Sequence, residues 1–545
     1  MFRVPTLINL PKSIWKENGQ TMEQRDSDID ETTSLLPSKS EKFDSYYTRS
    51  QSRDSVSSSS LPSPVTNDIS FYYPNTYQLD LKKDIKYFWS HTRVVRQELT
   101  GIIRFCIPLI ITFLLGVGNR VVDVWFLGKI GAEAMAVASL GNLFTMVTGL
   151  SIGYGVLTEA IDTLVAQAFT GASNPHTVGA ILQRGLVIMY LFGLGISILW
   201  AFSDKILLAM GQSPELAEMA HKYIVIVIPN IFLSFTTVAI RKFLQGLGEM
   251  KVTMYLVFVL FPVNIASNYF FLIYLNLGYI GAAYHHIFFS VFLLFVYILF
   301  ISSITSDIKK FWPGLSMQAF QYWGEFLKLG IPGMLSVSTD WAFEVCAIIT
   351  GLLGQTSLAA QSVLISCNTL LLMIPTALTT ALSVRLGHHL GANKPVRTKL
   401  CVILACAIGS ILVTMNATLL YVYRSAIAHT FSTDTQVIAA IEELMGIGSL
   451  CHLMMGISTV LSGTLNAFGK QHIVAAFNII TYYIIGLPFG VYMTSKHELG
   501  LIGIWSGVAL SGLLKCLCEG FFIVFYINFD TECANAAKRI NKQEI

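Results

Sequence analysis

Long apolar runs follow one another along most of the chain, and each is about 20 residues long. A helix of that length crosses the ~30 Å hydrocarbon core of a bilayer, whereas a soluble domain buries shorter amphipathic elements. The pattern therefore predicts an all-α integral membrane protein with twelve transmembrane helices. They are expected at roughly 101–126, 134–157, 180–202, 222–244, 253–276, 280–304, 328–353, 358–384, 399–423, 438–465, 473–494 and 500–527.

The two halves of the chain resemble each other at an offset of about 220 residues. Gly171-Ala-Ser-Asn-Pro175 follows the second predicted helix as Gly391-Ala-Asn-Lys-Pro395 follows the eighth. Six helices per half is an even number, so the sequence predicts two pseudo-symmetric six-helix lobes of one orientation that rock around a central cavity. The expected domains are a disordered cytosolic tail at 1–95, an amino-terminal lobe at 96–305, an interfacial linker at 306–327, a carboxyl-terminal lobe at 328–528 and a cytosolic tail at 529–545.

Composition narrows the class of function. Hydrophobic residues make up 53% of the chain and charged residues only 13%, which excludes an ordinary soluble protein. A net charge of +3 indicates no nucleic-acid partner. The nine cysteines are scattered and fit small buried hydrophobes better than metal ligands. The chain contains no GxxxxGK[ST] motif for ATP and no defensible catalytic constellation, so we expect neither an enzyme nor a cofactor.

Basic residues collect in the loops on one side of the predicted bundle. Positive charge marks the cytosolic side of a membrane protein. We therefore expect a protein of the vacuolar or plasma membrane with both termini in the cytosol. The loops on the terminal side carry Arg184, Arg241, Lys242, Lys251, Lys309, Lys310, Lys328, Arg385, Lys394, Arg397, Lys399 and Lys470. The opposite loops carry only Lys129, Lys205, Lys222, Arg424 and Lys496.

Carboxylates inside predicted spans are functional candidates, because burying one costs about 2.5–3.5 kcal/mol on insertion scales. Asp123 ends the first span and is either a proton-carrying group or the partner of Arg120 in a structural i, i+3 ion pair. Asp340 and Glu344 lie one turn apart in the seventh span, where close carboxylates share a proton. Trp341 beside them suits a cationic substrate. The alternative for Asp340 is a satisfied polar residue at a helix bend.

Other polar residues in the spans give less specific indications of function. Gln245 is either a substrate-binding residue or a hydrogen-bond partner that joins two helices. His452 is either a proton relay or a buried core histidine. Glu159 and Asp162 end the second span, where they are expected to cap the helix or to form pairs.

Motifs spread over residues 98–528 resemble the multidrug and toxic compound extrusion (MATE) family, particularly its eukaryotic branch. They include Phe126-Leu-Gly-Lys-Ile-Gly131, Ile161-Asp-Thr-Leu-Val-Ala-Gln167, Val178-Gly-Ala-Ile-Leu-Gln-Arg184, Phe243-Leu-Gln245, Trp341-Ala-Phe-Glu344, Ser383-Val-Arg-Leu-Gly387, Leu461-Ser-Gly463 and Tyr482-Tyr-Ile-Ile-Gly-Leu-Pro488. The resemblance implies twelve helices in two lobes and export of organic cations or toxins in exchange for protons, or for sodium in some members.

The same resemblance assigns roles to single residues. Asp123 matches a first-helix aspartate of bacterial members, Glu344 a widely shared seventh-helix glutamate and Gln245 the glutamine of a Leu-Gln motif. At two positions where members of the family carry further acids, this chain has Thr339 and Met455. Asp123 is therefore a stronger candidate for proton coupling than the residues of the carboxyl lobe. His452 lies one turn from Met455 and is a candidate substitute.

The leading hypothesis is a proton-coupled antiporter that exports organic cations, drugs or toxic metabolites by alternating access. A sodium-coupled exporter and a lipid-linked flippase of related fold are the alternatives. A receptor or channel is a further class, but carboxylates in both halves of a duplication favour alternating access. We expect a monomer whose partners are the lipid bilayer, a small organic cation and protons, or sodium in their place.

The polar amino-terminal tail contains Glu31-Thr-Thr-Ser-Leu35-Leu36, which resembles an acidic dileucine sorting signal or is a chance match. If Glu31, Leu35 and Leu36 form a signal, replacing both leucines by alanine moves a tagged protein from vacuolar or endosomal membranes toward the cell surface. Fluorescence microscopy measures the distribution, and an unchanged distribution identifies the match as accidental.

Overall fold

The computed structural model describes Leu79 and residues 81–304, 306–336, 346, 350, 354–497 and 499–544. Over these residues the regular secondary structure is helical, and no β-strand occurs in them. The predicted sorting residues Glu31, Leu35 and Leu36 lie outside the described part of the chain, as do Asp340, Trp341 and Glu344.

The main helices fall into two sets of six, flanked by a short helix at each end. The first set is preceded by α1 (Leu81–Ser90) and comprises α2 (Thr92–Ile130), α3 (Ala132–Gly171), α4 (His176–Ala201), α5 (Pro214–Gly246), α6 (Met250–Tyr274) and α7 (Gly278–Ile304). The second set comprises α8 (Trp323–Ser336), α9 (Gln355–Gly391), α10 (Pro395–Val422), α11 (Thr435–Ala467), α12 (Gln471–Lys496) and α13 (Gly500–Tyr526), and is followed by α14 (Phe529–Glu544).

Within the described residues, eleven helices are long and apolar enough to cross a membrane, with mean hydropathy between 1.5 and 2.2. Large apolar side chains such as Ile198 and Leu517 lie exposed on their outer faces, as expected where lipid is the solvent. The predicted seventh span begins with α8 and continues into residues that are mostly outside the described part. These findings confirm an all-α integral membrane protein built from two six-helix lobes.

Backbone details repeat between the amino lobe (α2–α7) and the carboxyl lobe (α8–α13). Glycines with positive φ occupy matching turns about 220 residues apart, at Gly131 and Gly354, Gly248 and Gly469, and Gly278 and Gly500. A short helix follows the third span at Ser203–Ala209 and the ninth at Arg424–Phe431. Because residues other than glycine rarely adopt positive φ, the shared glycines indicate that both lobes have the same backbone conformation at these turns.

The two lobes meet mainly where α3 packs against α8 and α9. Small residues let the backbones approach: a Cβ at Gly155 would lie 2.7 Å from Met334 Cα, and one at Gly387 would lie 2.4 Å from Ala166 Cβ. The Thr170 hydroxyl donates to the His388 carbonyl at 2.8 Å. These contacts lie toward the end of the bundle at which α2 begins and α13 ends, here called the terminal side. The lobes are therefore closed together on that side.

The linker between the lobes packs against the start of α4. Gln183 Nε2 donates to the Gly314 carbonyl at 2.5 Å, and its Oε1 accepts from the Ser316 amide at 3.1 Å. Trp312 and Phe320 are exposed, which suits the predicted position in the membrane interface.

The carboxyl-terminal tail forms α14, which lies across both lobes on the terminal side. Phe529, Cys533 and Ala536 are buried in a hydrophobic core that consists mostly of carboxyl-lobe residues and includes the first half of α2. Burial raises the pKa of the Cys533 thiol to about 12, so this cysteine stays neutral and packs as a hydrophobe. Arg539 donates to Gln167 Oε1 of the amino lobe at 3.0 Å and to the Phe468 carbonyl of the carboxyl lobe at 2.7 Å.

The last residues of α14 contact the amino lobe and the end of the linker through polar groups. The Glu544 carboxylate accepts from the Ser173 amide at 2.5 Å and from its hydroxyl at 2.9 Å. Lys542 lies 3.0 Å from Glu325 at the start of α8. The apolar half of α14 thus belongs to the carboxyl lobe, while its end reaches the amino lobe through reversible polar contacts.

We expect Arg539→Ala to lower the stability of the closed arrangement, because hydrogen bonds that involve a charged group contribute about 1.5–3 kcal/mol each. Thermal unfolding of the purified protein in detergent measures the effect as a lower Tm. Lys538→Ala is the matched control, since Lys538 is exposed on the same helix. Equal Tm values for the two variants would contradict the role assigned to Arg539.

Candidate functional site

A polar cluster lies between α2, α6 and α7, in the half of the amino lobe away from the terminal side. Asp123 is its acid, and its side chain is 23% exposed. Asn268 Nδ2 donates to Asp123 Oδ1 at 2.8 Å, and His285 Nε2 lies 3.4 Å from the same oxygen. The sequence-predicted carboxylate thus sits beside an imidazole and an amide inside a membrane-spanning bundle.

Helical spacing explains how α2 and α6 join in this cluster. Asn119 and Asp123 are four residues apart on α2, and Asn264 and Asn268 are four apart on α6, so each pair lies on one helix face. Asn264 Nδ2 donates to Asn119 Oδ1 at 3.1 Å, one turn from the contact between Asp123 and Asn268. The end of α6 is a π-helical segment, Tyr269–Tyr274, a deviation that occurs frequently at functional sites.

His285 is held at both ring nitrogens. Its Nδ1 lies 3.0 Å from Ser267 Oγ, and its Nε2 lies 3.1 Å from Asn268 Nδ2. The Ser267 hydroxyl donates to the Val263 carbonyl at 2.8 Å, so its oxygen is left to accept from Nδ1–H. Nε2 then directs a lone pair toward Asn268 and Asp123. This tautomer follows from the hydrogen-bond pattern and not from observed hydrogens.

The arrangement suits one shared proton. An ionised Asp123 opposite the lone pair of a neutral His285 would place two acceptors 3.4 Å apart. A proton on either atom converts that contact into a hydrogen bond, and a charged one is the stronger kind. The site can therefore exist with or without the proton, and the two forms have different local stability.

Arg120 does not form the expected structural pair. Its side chain is exposed, and among the ion pairs of the described residues Asp123 faces His285. A spacing of three residues brings two side chains near one face of a helix but does not fix their directions. The ion-pair interpretation of Asp123 with Arg120 is therefore wrong in this arrangement.

In the carboxyl lobe, His452 of α11 is fully buried. Its Nδ1 lies 2.6 Å from Asn368 Oδ1 of α9, and its Nε2 has no hydrogen-bond partner among the described residues. The Asn368 amide nitrogen in turn lies 4.0 Å from Met455 Sδ. The histidine thus bridges two helices, while its proposed role as a relay stays a prediction.

Gln245 lies apart from both clusters. It is buried at the end of α5, and neither polar atom of its side chain has a hydrogen-bond partner within the described residues. The expected bond between helices is therefore not formed there. Its assignment to the site, like that of Asp340, Trp341 and Glu344, rests on sequence alone.

Sequence reasoning missed His285 and its neighbour His286, whose rings lie 5.5 Å apart. The available signal was a pair of adjacent histidines in an otherwise apolar span. That signal does not place either histidine beside Asp123, because the proximity of His285 to Asp123 depends on the packing of α7 against α2.

Comparisons with known proteins cover most of both lobes. The MatE family model matches residues 108–270 and 333–492. Multidrug and toxin extrusion protein 1 of Xenopus tropicalis is 30% identical, with the match covering 83% of this chain and 78% of that protein. Multidrug and toxin extrusion protein 2 of Oryctolagus cuniculus is 33% identical over 82% of this chain and 72% of its own length.

Solved structures agree with the fold. The crystal structure of the eukaryotic MATE transporter AtDTX14 aligns with a TM-score of 0.76 at 24% identity, and it covers 82% of this chain and 100% of that one. The motif resemblance, the family match over both lobes and the eukaryotic relatives lead to one conclusion: the chain belongs to the MatE family of multidrug and toxin extrusion transporters.

Proposed function

We propose that the protein is a secondary active antiporter that exports organic cations, drugs or toxic metabolites in exchange for protons by alternating access. The observation that supports this most is the contact between the partly exposed Asp123 and the buried His285, because it offers a place for one proton inside the amino lobe. A proton shifts a conformational equilibrium only if it binds the two arrangements with different affinity, and this cluster changes its bonding on protonation.

Helix α2 supplies a route from that cluster to the lobe contact. Its far half carries Asp123, whereas its first turns carry Glu98, which is fully buried. Glu98 accepts from Arg385 of the carboxyl lobe at 3.0 and 3.2 Å and lies 2.9 Å from His389. A shift of α2 on protonation of Asp123 therefore acts directly on the ion pair that joins the lobes.

The sidedness follows from charge and closure together. Basic loops favour a cytosolic terminal side, and the contacts between the lobes lie on that side. We infer that this arrangement faces the cell exterior or the vacuolar lumen, where protons enter. Substrate would then leave toward the same compartment, as export requires.

Sodium coupling is the main alternative, since carboxylate and amide oxygens also suit hard cations. His285 Nε2 favours the proton, because an imidazole nitrogen prefers softer metals to hard cations. A lipid-linked flippase would share the fold but would not need a titratable pair. The ion dependence of transport therefore separates the three functions.

We expect Asp123→Asn to leave the protein folded and able to bind substrate, while exchange driven by a pH gradient falls by about tenfold or more. The amide mimics a protonated acid and cannot release the proton. Uptake of a fluorescent organic cation into proteoliposomes, with an imposed pH gradient and with or without sodium, measures this. Arg120→Gln is the control and retains wild-type exchange.

His285→Gln tests the same site from the other partner. Glutamine keeps a hydrogen-bonding group but cannot take a proton, so the pH profile of exchange should move while binding remains. Normal exchange in Asp123→Asn would end the role of Asp123, and a response to sodium instead of pH would favour the sodium-coupled alternative.

Glu344 is the corresponding candidate in the carboxyl lobe, with Asp340 and Trp341 as neighbouring candidates for the substrate. We expect Glu344→Gln to abolish proton-driven exchange in the same vesicles without loss of folded protein. Undiminished uptake would leave the amino lobe as the sole coupling lobe.

A further inference from the structure

One carboxylate lies directly on the surface where the two lobes meet. The lobe seam is formed by Gly155, Val156 and Glu159 of α3 against Gly330, Gly333 and Met334 of α8. A Cβ built on Gly333 would lie 2.5 Å from Glu159 Cβ and 2.6 Å from its Cγ. Only a glycine can occupy that position of α8, and the backbone of the carboxyl lobe lies directly against the half-buried Glu159 side chain.

The charges around Glu159 leave it without a partner. Asp162, three residues further along α3, lies 2.5 Å from Lys242 of α5. No hydrogen bond or ion pair involves Glu159 among the residues that the structure describes. On the facing helix α8, Lys328 lies 3.4 Å from Glu325, toward the terminal side. Lys242, which acts electrostatically on Glu159, is thus already paired with Asp162.

The bonding pattern disagrees with a capping or pairing role for Glu159. Glu159 is half-buried, and an ionised carboxylate without a partner is costly in a membrane-spanning segment. Protonation removes most of that cost while α8 covers the side chain. Separation of the lobes uncovers the same group, because the atoms that cover it belong to the other lobe.

We propose that Glu159 is a second proton-carrying carboxylate of the transporter, which holds a proton while the lobe seam is closed and releases it to the cytosol when the seam opens. The inference rests on the proposed proton coupling and places the exit of the proton at the seam. On opening, water enters, the carboxyl O–H bond breaks, the proton passes to water, and the carboxylate remains near Lys242. Return of the seam to its closed form requires the next proton.

Glu159 is well placed to couple proton binding to lobe movement, because its environment changes when the two lobes separate. Asp123 lies in the far half of the amino lobe, within a cluster made by one lobe only. Glu159 has the other lobe as its cover, so its protonation and the closure of the seam must influence each other. The seam should be most stable when Glu159 is neutral.

Glu159→Gln tests the proposal, with transport measured in proteoliposomes under an imposed pH gradient. A permanently neutral side chain keeps the seam closed, so driven exchange should fall by about tenfold or more and lose its dependence on cytosolic-side pH. Glu159→Asp keeps an acid and should keep that dependence. Glu133→Gln is the matched control, since Glu133 is an exposed glutamate at the start of the same helix.

A second measurement uses the unmodified protein. Dicyclohexylcarbodiimide reacts with protonated carboxyl groups in membranes, and mass spectrometry locates the product. We expect labelling of Glu159 near neutral pH that declines as the pH rises. No labelling of Glu159 would overturn the proposal even if Glu159→Gln failed to fold.

The outcomes separate this inference from the proposed function. Wild-type exchange that responds to pH, together with an unchanged pH profile in Glu159→Gln, shows that Glu159 is only structural and leaves proton coupling intact. Wild-type exchange that ignores the pH gradient refutes proton coupling, and the role of Glu159 with it.

Discussion

The close approach of α3 to α8 and α9 is the contact on which the rest of the structure depends. Lipid is as apolar as the helices, so association within a membrane relies on close packing and on hydrogen bonds more than on the hydrophobic effect. Gly155, Gly333 and Gly387 provide the space for that packing. A contact built from small residues has few interdigitated side chains to disengage.

Several charged groups are arranged around this contact. Glu98 binds Arg385 across the lobes, and Arg539 of α14 bonds to residues of both. Removing one partner of a buried ion pair costs much more than the pair itself contributes. Any separation of the lobes on the terminal side must therefore replace these bonds, and water that enters there can supply the replacements.

Much of the architecture was predictable because a bilayer imposes a simple length rule. The spans, the duplication and the Gly391-Ala-Asn-Lys-Pro395 turn follow from apolar runs and turn residues, which are local properties. The candidate site was only partly predictable. Asp123 was found as an acid in a span, but His285 lies on another helix, and its approach to Asp123 depends on tertiary packing. The alternative pairing of Asp123 with Arg120 was wrong because sequence spacing gives a helix face and not a side-chain direction.

The two halves of the duplication share backbone conformation more closely than they share polar side chains. Matching turns keep their glycines, yet the described polar clusters of the two lobes differ. The amino lobe combines an acid with a histidine at Asp123 and His285, whereas the carboxyl cluster contains His452 with Asn368 and Met455. The same turns and close helix contacts are needed in both halves, so the packing constraints of the fold act on both alike. The acid of the amino-lobe cluster has no counterpart in the cluster of His452 and Asn368, where a second acid would add the cost of another buried charge. The asymmetry of the clusters is therefore what a coupled transporter built from a duplicated fold would be expected to retain.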